Sequence, residues 1–265
     1  MLSGWQTFAF FMVSFLASTI GAIAGIGGGV IIKPAMDAFH VLNVNTISFL
    51  SGLTVLSMSG YNVVRSLCSG GGQLRLATVL PLGIGASLGG VGGKRLFELL
   101  LDASSNADLV SAIQSGCLIA VTALALLYTW AGETVKTYRV RNKAAVVLIG
   151  TLLGVVSSFL GIGGGPVNLM VLSYFFSMGI KEAAQNSLMV IMLSQIASLF
   201  TTFLTDSVPA FSTPLLILLI IGGIGGGILG RIINRKLEVR RVRSFYRLTV
   251  VAIILICAYN MVTYL

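Results

Sequence analysis

Acidic residues are scarce in this chain: eight Asp and Glu stand against 17 Lys and Arg in 265 residues, and none of the eight falls in the middle of an apolar run. The usual intramembrane proton carrier is therefore missing. Histidine occurs once, as His40, and reads as a solvated loop residue. With one imidazole, no paired carboxylates and no HExxH, the chain lacks the machinery of an enzyme. Cys68, Cys117 and Cys257 lie far apart, the last two inside apolar runs where thiols behave as small hydrophobes. No disulfide, metal site or cofactor is expected from them. No TVGYG-like filter is present, which argues against a potassium channel. No Lys or Arg precedes Leu2, so a cleaved signal peptide is not expected and the apolar N-terminus is read as retained.

What is abundant is apolar sequence. Hydrophobic residues make up 56% of the chain and charged residues only 9%, far from the balance of a soluble domain. Apolar runs near 5–24, 45–64, 76–93, 110–130, 144–160, 183–204, 214–230 and 246–264 are long enough to cross the hydrocarbon core as helices. The fold class is all-α and polytopic in the membrane. Trp5 and Trp130, near segment ends, read as interfacial anchors. The net charge of +9 sits in short segments beside the apolar runs, which points to the membrane rather than to nucleic acid.

Glycine is also abundant, and it is patterned. "GIGGGV" at 25–30 returns as "GIGGGP" at 161–166, an offset of 136 that also places Ser51 on Ser187. At an offset of 137, Gly85, Gly89, Gly93 and Lys94 fall on Gly222, Gly226, Gly230 and Arg231. Two landmarks in order make an internal repeat, with halves at 1–131 and 144–265 joined by the polar stretch "GETVKTYRVRNK" at 132–143. Many secondary transporters are built from such halves.

The basic residues choose between layouts. If all eight runs cross in turn, the Lys and Arg residues divide 11 to 6. If each glycine unit instead enters and returns to one side, as a hairpin of two helical pieces, Arg65, Arg75, the four basic residues of 136–143, Lys181 and the seven from Arg231 to Arg247 share one face. Only Lys33, Lys94 and Arg95 then remain opposite, and Asp37, Glu98, Asp102, Asp108 and Asp206 join them. The second layout follows the positive-inside rule. It predicts two inverted repeats, each a glycine-broken hairpin plus about three transmembrane helices, with linker 132–143 and loop 231–243 in the cytoplasm.

A glycine triplet inside a membrane segment needs a physical reason. Backbone leaves the helix in a bilayer only where protein or a wet cavity satisfies its polar groups. Pro166 directly follows the second triplet and suits the first turn of a new helix. The unpaired N–H groups of that turn and the positive end of its dipole favour an anion. Candidate substrate contacts are therefore Gly27, Gly28, Gly29, Gly163, Gly164 and Gly165, with Asn168 in the first turn of the new helix and Ser51, Asn186 and Ser187 where the following helices begin. Lys33 either neutralises the substrate or snorkels. The Gly85 and Gly222 series read as close-packing scaffold.

Two GIGGG units, the second continuing as "GIGGGPVNLMVLSYF", each followed after some 20 residues by a small, hydroxyl-bearing segment ("NTISFLSG" and "EAAQNSLMV"), resemble the sulfite exporter TauE/SafE family over nearly the whole chain. The resemblance implies a permease of the bacterial-type cytoplasmic membrane that moves sulfite, sulfonates, sulfoacetate or related small anions, often outward, and it matches the family motif at 25–29 and 161–165. Val30 stands where the second copy has Pro166, so the two sites are not identical. Taken with the residues, the expectation is an alternating-access anion transporter in the lipid bilayer. An anion-selective channel, a carrier of another small carboxylate and a ligand-free membrane scaffold are the other readings. Homo-oligomerisation stays open, since glycine faces pack within one chain or between chains.

Overall fold

The computed structural model describes residues 3–39, 41–68, 74–103, 107–131, 135–160, 164–205 and 208–264. His40, Asp206 and Gly163 lie outside the described residues. Those described form ten helices and no strand: α1 (Gly4–Ala24), α2 (Gly29–Asp37), α3 (Val44–Cys68), α4 (Leu76–Ala103), α5 (Ala107–Ala131), α6 (Lys143–Phe159), α7 (Gly165–Phe176), α8 (Ile180–Leu204), α9 (Thr213–Lys236) and α10 (Val239–Tyr264). Seven of them (α1, α3, α4, α5, α8, α9 and α10) contain stretches long and apolar enough to cross a membrane. Leu88, Leu124, Leu148, Leu248 and Leu255, like Trp5 and Trp130, are more than half exposed, as a lipid-facing surface requires.

Local chemistry sets the helix starts. Ser3 and Gln6 cap α1 reciprocally, the Gln6 N–H donating to Ser3 Oγ and the Ser3 N–H to Gln6 Oε1. The Ala144 N–H donates to Asn142 Oδ1 at the head of α6. Pro166 and Pro214 occupy the first turns of α7 and α9, where a missing N–H costs no helical bond. Each glycine unit divides a pair of helices: α1 ends at Gly25 in the left-handed conformation and α2 starts at Gly29, while α6 ends at Phe159 and α7 starts at Gly165.

The glycine series brings backbones together. Gly222 lies against Phe11 and Ser14, Gly226 against Phe15, and Gly230 against Thr19 and Ala22, so α9 and α1 run parallel in contact. The Gly85 series does the same to α6, with Gly85 on Val147, Gly89 on Thr151 and Gly93 on Val155, and Gly150 and Gly154 return the contact to Leu82 and Ala86. A Cβ at most of these positions would collide with a main-chain carbonyl. The first helix of each half is thus clasped by the fourth helix of the other half.

Helices of matching position run against each other. In α3 and α8, Gly52 faces Gln195 while the Phe49 and Phe203 rings meet at 6.2 Å, so the two are antiparallel. In α5 and α10, Gly116 faces Met261 and Arg247 Nη2 donates to the Thr129 carbonyl at 2.8 Å, again antiparallel. The C-terminal ends of α3, α5, α7 and α9 and the starts of α4, α6, α8 and α10 therefore share one end of the bundle. Hydrogen bonds knit that end: Lys181 Nζ to the Leu237 carbonyl, the Arg75 N–H to Asn186 Oδ1 at 2.9 Å, and the Tyr138 N–H to the Tyr174 carbonyl at 2.7 Å. Fourteen of the 17 Lys and Arg stand at or near it.

One expectation needs adjusting. Residues 231–243 are not a loop: α9 continues to Lys236 and α10 starts at Val239, leaving a turn of two residues. Basic side chains extend the helix because Arg and Lys are good helix formers once their stems reach the interface. Within the linker, residues 135–142 are docked, since the Tyr138 and Val140 N–H groups donate to the Tyr174 and Phe175 carbonyls and Ser177 Oγ contacts both Thr137 and Tyr138.

Candidate functional site

The two breaks meet inside the bundle. Gly165, at the start of α7, lies directly against the side chain of Val30, at the start of α2. The N-terminal turns of the two short helices thus abut, and the N–H groups of Gly29, Val30, Gly165 and Val167 lie in first turns with no helical carbonyl to accept them. Both dipole ends present their positive pole to the same small region.

Conformation explains the residue choice at the second break. Gly164 adopts φ 106°, a region hostile to any side chain, and the Asn168 carboxamide sits over it where a Cβ would be. Gly27 at the first break has φ 69°, and a Cβ there would stand 2.9 Å from Ile191 Cδ1. Gly28 carries an ordinary helical φ but leaves only 3.1 Å between a would-be Cβ and Ser18 Oγ.

Buried polar atoms without partners gather around these breaks. Ser18 Oγ, beside Gly28, Asn168 Oδ1, over Gly164, and Ser187 Oγ accept and donate no hydrogen bond, although Ser18 and Ser187 are fully buried and Asn168 is 1% exposed. Ser187 lies on the face of α8 that touches the first break, between Ala184, which contacts Gly25, and Ile191, which contacts Gly27. Ser157 Oγ, at the position equivalent to Gly21, is also unpartnered. An orphaned buried hydroxyl or amide costs about 1–3 kcal/mol, so these atoms mark a polar interior around the two breaks that no group of the protein satisfies.

The other sequence candidates are engaged within the protein. Asn186 Oδ1 accepts from the Arg75 N–H and its Nδ2 donates to the Glu182 carbonyl at 2.7 Å, while Ser51 Oγ donates to the Ser48 carbonyl at 3.1 Å. Lys33 is half-buried on α2, one turn before Asp37.

Sequence reasoning passed over two carboxamides that fix the breaks. Asn234 Nδ2, from α9, donates to the Ile23 carbonyl at 2.5 Å, and Gln114 Nε2, from α5, donates to the Phe159 carbonyl at 2.6 Å. Ile23 and Phe159 are equivalent under the 136 offset, in or at the last turn of the helix before each break. Such pins leave no local motif, because the partner helices differ between the halves. A cleft of about 50 Å³ also opens beside the first break, lined by Ala22, Asn62, Ala184, Gln185, Arg231 and Asn234 among others.

The family model for sulfite exporter TauE/SafE matches residues 10–260, nearly the entire chain and both glycine units. The chain belongs to the sulfite exporter TauE/SafE family. No curated protein and no solved structure matches it. As a TauE/SafE member with seven spanning-length helices it is a multi-pass membrane protein of an exporter family, and both paired helix starts fall inside the matched region. Among the described residues no group of His, Cys, Asp and Glu is arranged to hold a metal ion.

Proposed function

We propose that this TauE/SafE protein carries a small oxyanion, of the class of sulfite, sulfonates and sulfoacetate, bound where the first turns of α2 and α7 meet. The observation that carries the reading is the contact of Val30 with Gly165, with the unpartnered Ser18, Asn168 and Ser187 around the breaks. Backbone N–H groups of Gly27 to Gly29, Gly164 and Gly165 are the main donors. Ser187 and Ser18 add hydroxyls, and a half-turn of the Asn168 carboxamide exchanges its orphan oxygen for an amide donor. Ser51 and Asn186 serve the site by fixing the helices around it.

In this reading residues 1–131 and 144–265 are inverted repeats, supported by the antiparallel pairing of α3 with α8 and of α5 with α10. The end that gathers 14 basic residues, including the described part of the linker at 135–143, faces the cytoplasm. Alternating access follows from rocking one half against the other around a site built from both, and export is the direction the family suggests.

Binding is tested by thermal unfolding of the purified protein against sulfite, sulfoacetate, sulfate, acetate and chloride at constant ionic strength. A ligand at 100 times its dissociation constant raises stability by about 2.7 kcal/mol. A shift with sulfur oxyanions that is lost in Asn168→Leu supports the site, and a flat response across the panel overturns it. Saturable sulfite counterflow in proteoliposomes marks a carrier, whereas single-channel currents mark a channel.

A further inference from the structure

The cleft beside the first break has an electrostatic problem that the central site does not explain. Arg231 and Arg235 both line it, and its lining among the described residues includes no Asp or Glu. Glu182, the nearest acid on α8, is already paired bidentately with Arg75. Clustered cations facing a low-dielectric wall without a carboxylate leave a standing attraction for an anion.

Geometry makes this attraction selective. Arg231 Nη1 donates to the Asn62 carbonyl at 2.6 Å, which fixes the guanidinium plane and leaves its other N–H groups for the cleft. Asn62, Ser66, Gln185 and Asn234 supply polar neighbours, three of them buried. A volume of about 50 Å³ holds a few waters or one sulfite-sized ion, not a bulky amphiphile.

The floor of the cleft is the break itself. Ala184 touches Gly25, and Asn234 holds the Ile23 carbonyl. At the equivalent position of the first half, Lys94 is a point charge engaged with Thr202 Oγ1 at 2.9 Å. Of these two equivalent positions, only 231 carries a fork suited to two oxygens of one anion.

We propose that the cleft between α3, α8 and α9 is an oxyanion-recognising vestibule leading from the basic end to the first glycine break, with Arg231 as the residue that separates oxyanions from halides. The proposal rests on the anion-carrier reading and names the route and the discriminating residue for it.

The test is zero-trans sulfite flux in right-side-out and inside-out membrane vesicles, with the face bearing Lys136 and Lys236 identified by an impermeant amine reagent. Arg231→Gln is expected to raise the half-saturating sulfite concentration at least tenfold from the basic face and to leave it within twofold from the opposite face. Arg231→Lys keeps the charge but loses the fork, so chloride becomes a better competitor of sulfite than in the wild type. Arg235→Gln, an exposed change that spares the Asn62 contact, raises half-saturation two- to fivefold on the basic face and guards against a folding artefact. Equal loss on both faces, or an Arg231→Gln protein within twofold of wild type on the basic face, overturns the vestibule. If wild type moves sulfite and Asn168→Leu does not, that second outcome leaves the central site standing. A wild type that neither binds nor moves sulfite overturns both.

Discussion

Val30 packs its side chain directly against Gly165, so the opening turns of α2 and α7, 135 positions apart in sequence, touch in the interior. A methyl group at Gly165 would collide with Val30 Cγ2 and would also sit on a backbone with φ 31°. Gly165→Ala is expected to lower stability by about 2–4 kcal/mol, combining overpacking with backbone strain. Adding Val30→Ala removes the collision but not the strain. Thermal unfolding of the double variant should therefore recover about half of the loss. Additive losses in the double variant would mean that the two helix starts do not share this contact.

The glycine series give a sharper contrast between neighbours. Gly89 faces the Thr151 main chain and Gly226 faces that of Phe15, and backbone cannot rotate away as a side chain can. Gly89→Ala and Gly226→Ala should each cost about 1–3 kcal/mol or prevent accumulation of folded protein. Gly92, one residue from Gly93 on the same helix, has nothing within 4 Å of a Cβ and is exposed. Gly92→Ala should be neutral or stabilising by up to about 1 kcal/mol, since alanine favours the helix. Melting temperatures of the three variants check the ranking.

Much of this was legible in the sequence because lipid simplifies the problem. Period and length suffice to place helices when every backbone bond must close within a segment, and the eight apolar runs fall on eight of the ten helices, one of them overrunning its helix by a residue. The other two, α2 and α7, were legible as second pieces of glycine-broken hairpins, with Pro166 marking one start. The Gly85 and Gly222 series announced close packing, but not that each clasps the opposite half. Which polar residues near the breaks lack partners could not be read, because Asn186 and Ser187 are adjacent and only tertiary contacts separate them. Arg231 entered the sequence argument as a repeat landmark and an orientation charge. Its place in a cleft depends on α3 and α8, which no local pattern encodes.

The carboxamide pins predict a paired phenotype. Asn234→Leu and Gln114→Leu each remove a side-chain donor from a carbonyl at equivalent positions, Ile23 and Phe159, at a cost of about 1–3 kcal/mol. Each change acts on one break only. Sulfite flux should fall in both variants chiefly through the maximal rate, because the helix end is loosened while the N–H donors persist. An unchanged rate and unchanged stability in either variant would show that the pin does not hold its break.

Asn186 and Ser187 offer the cleanest separation of support from binding, because both are fully buried and adjacent on α8. Asn186 joins the Arg75 N–H to the Glu182 carbonyl, so Asn186→Ala strands a donor where α4 meets α8 and should cost about 1–3 kcal/mol of stability. Sulfite affinity per folded molecule should stay within about twofold. Ser187→Ala removes a hydroxyl that has no hydrogen-bond partner within the protein. Taking away an unsatisfied buried group relieves its desolvation penalty, so apo stability should hold or rise by up to about 1 kcal/mol. In the proposed binding mode sulfite loses a donor, and its dissociation constant should rise at least threefold. Unfolding curves recorded with and without sulfite read both quantities on the same samples. A Ser187→Ala protein that is less stable without ligand, with unchanged sulfite affinity, would place the hydroxyl in the packing and remove it from the anion site.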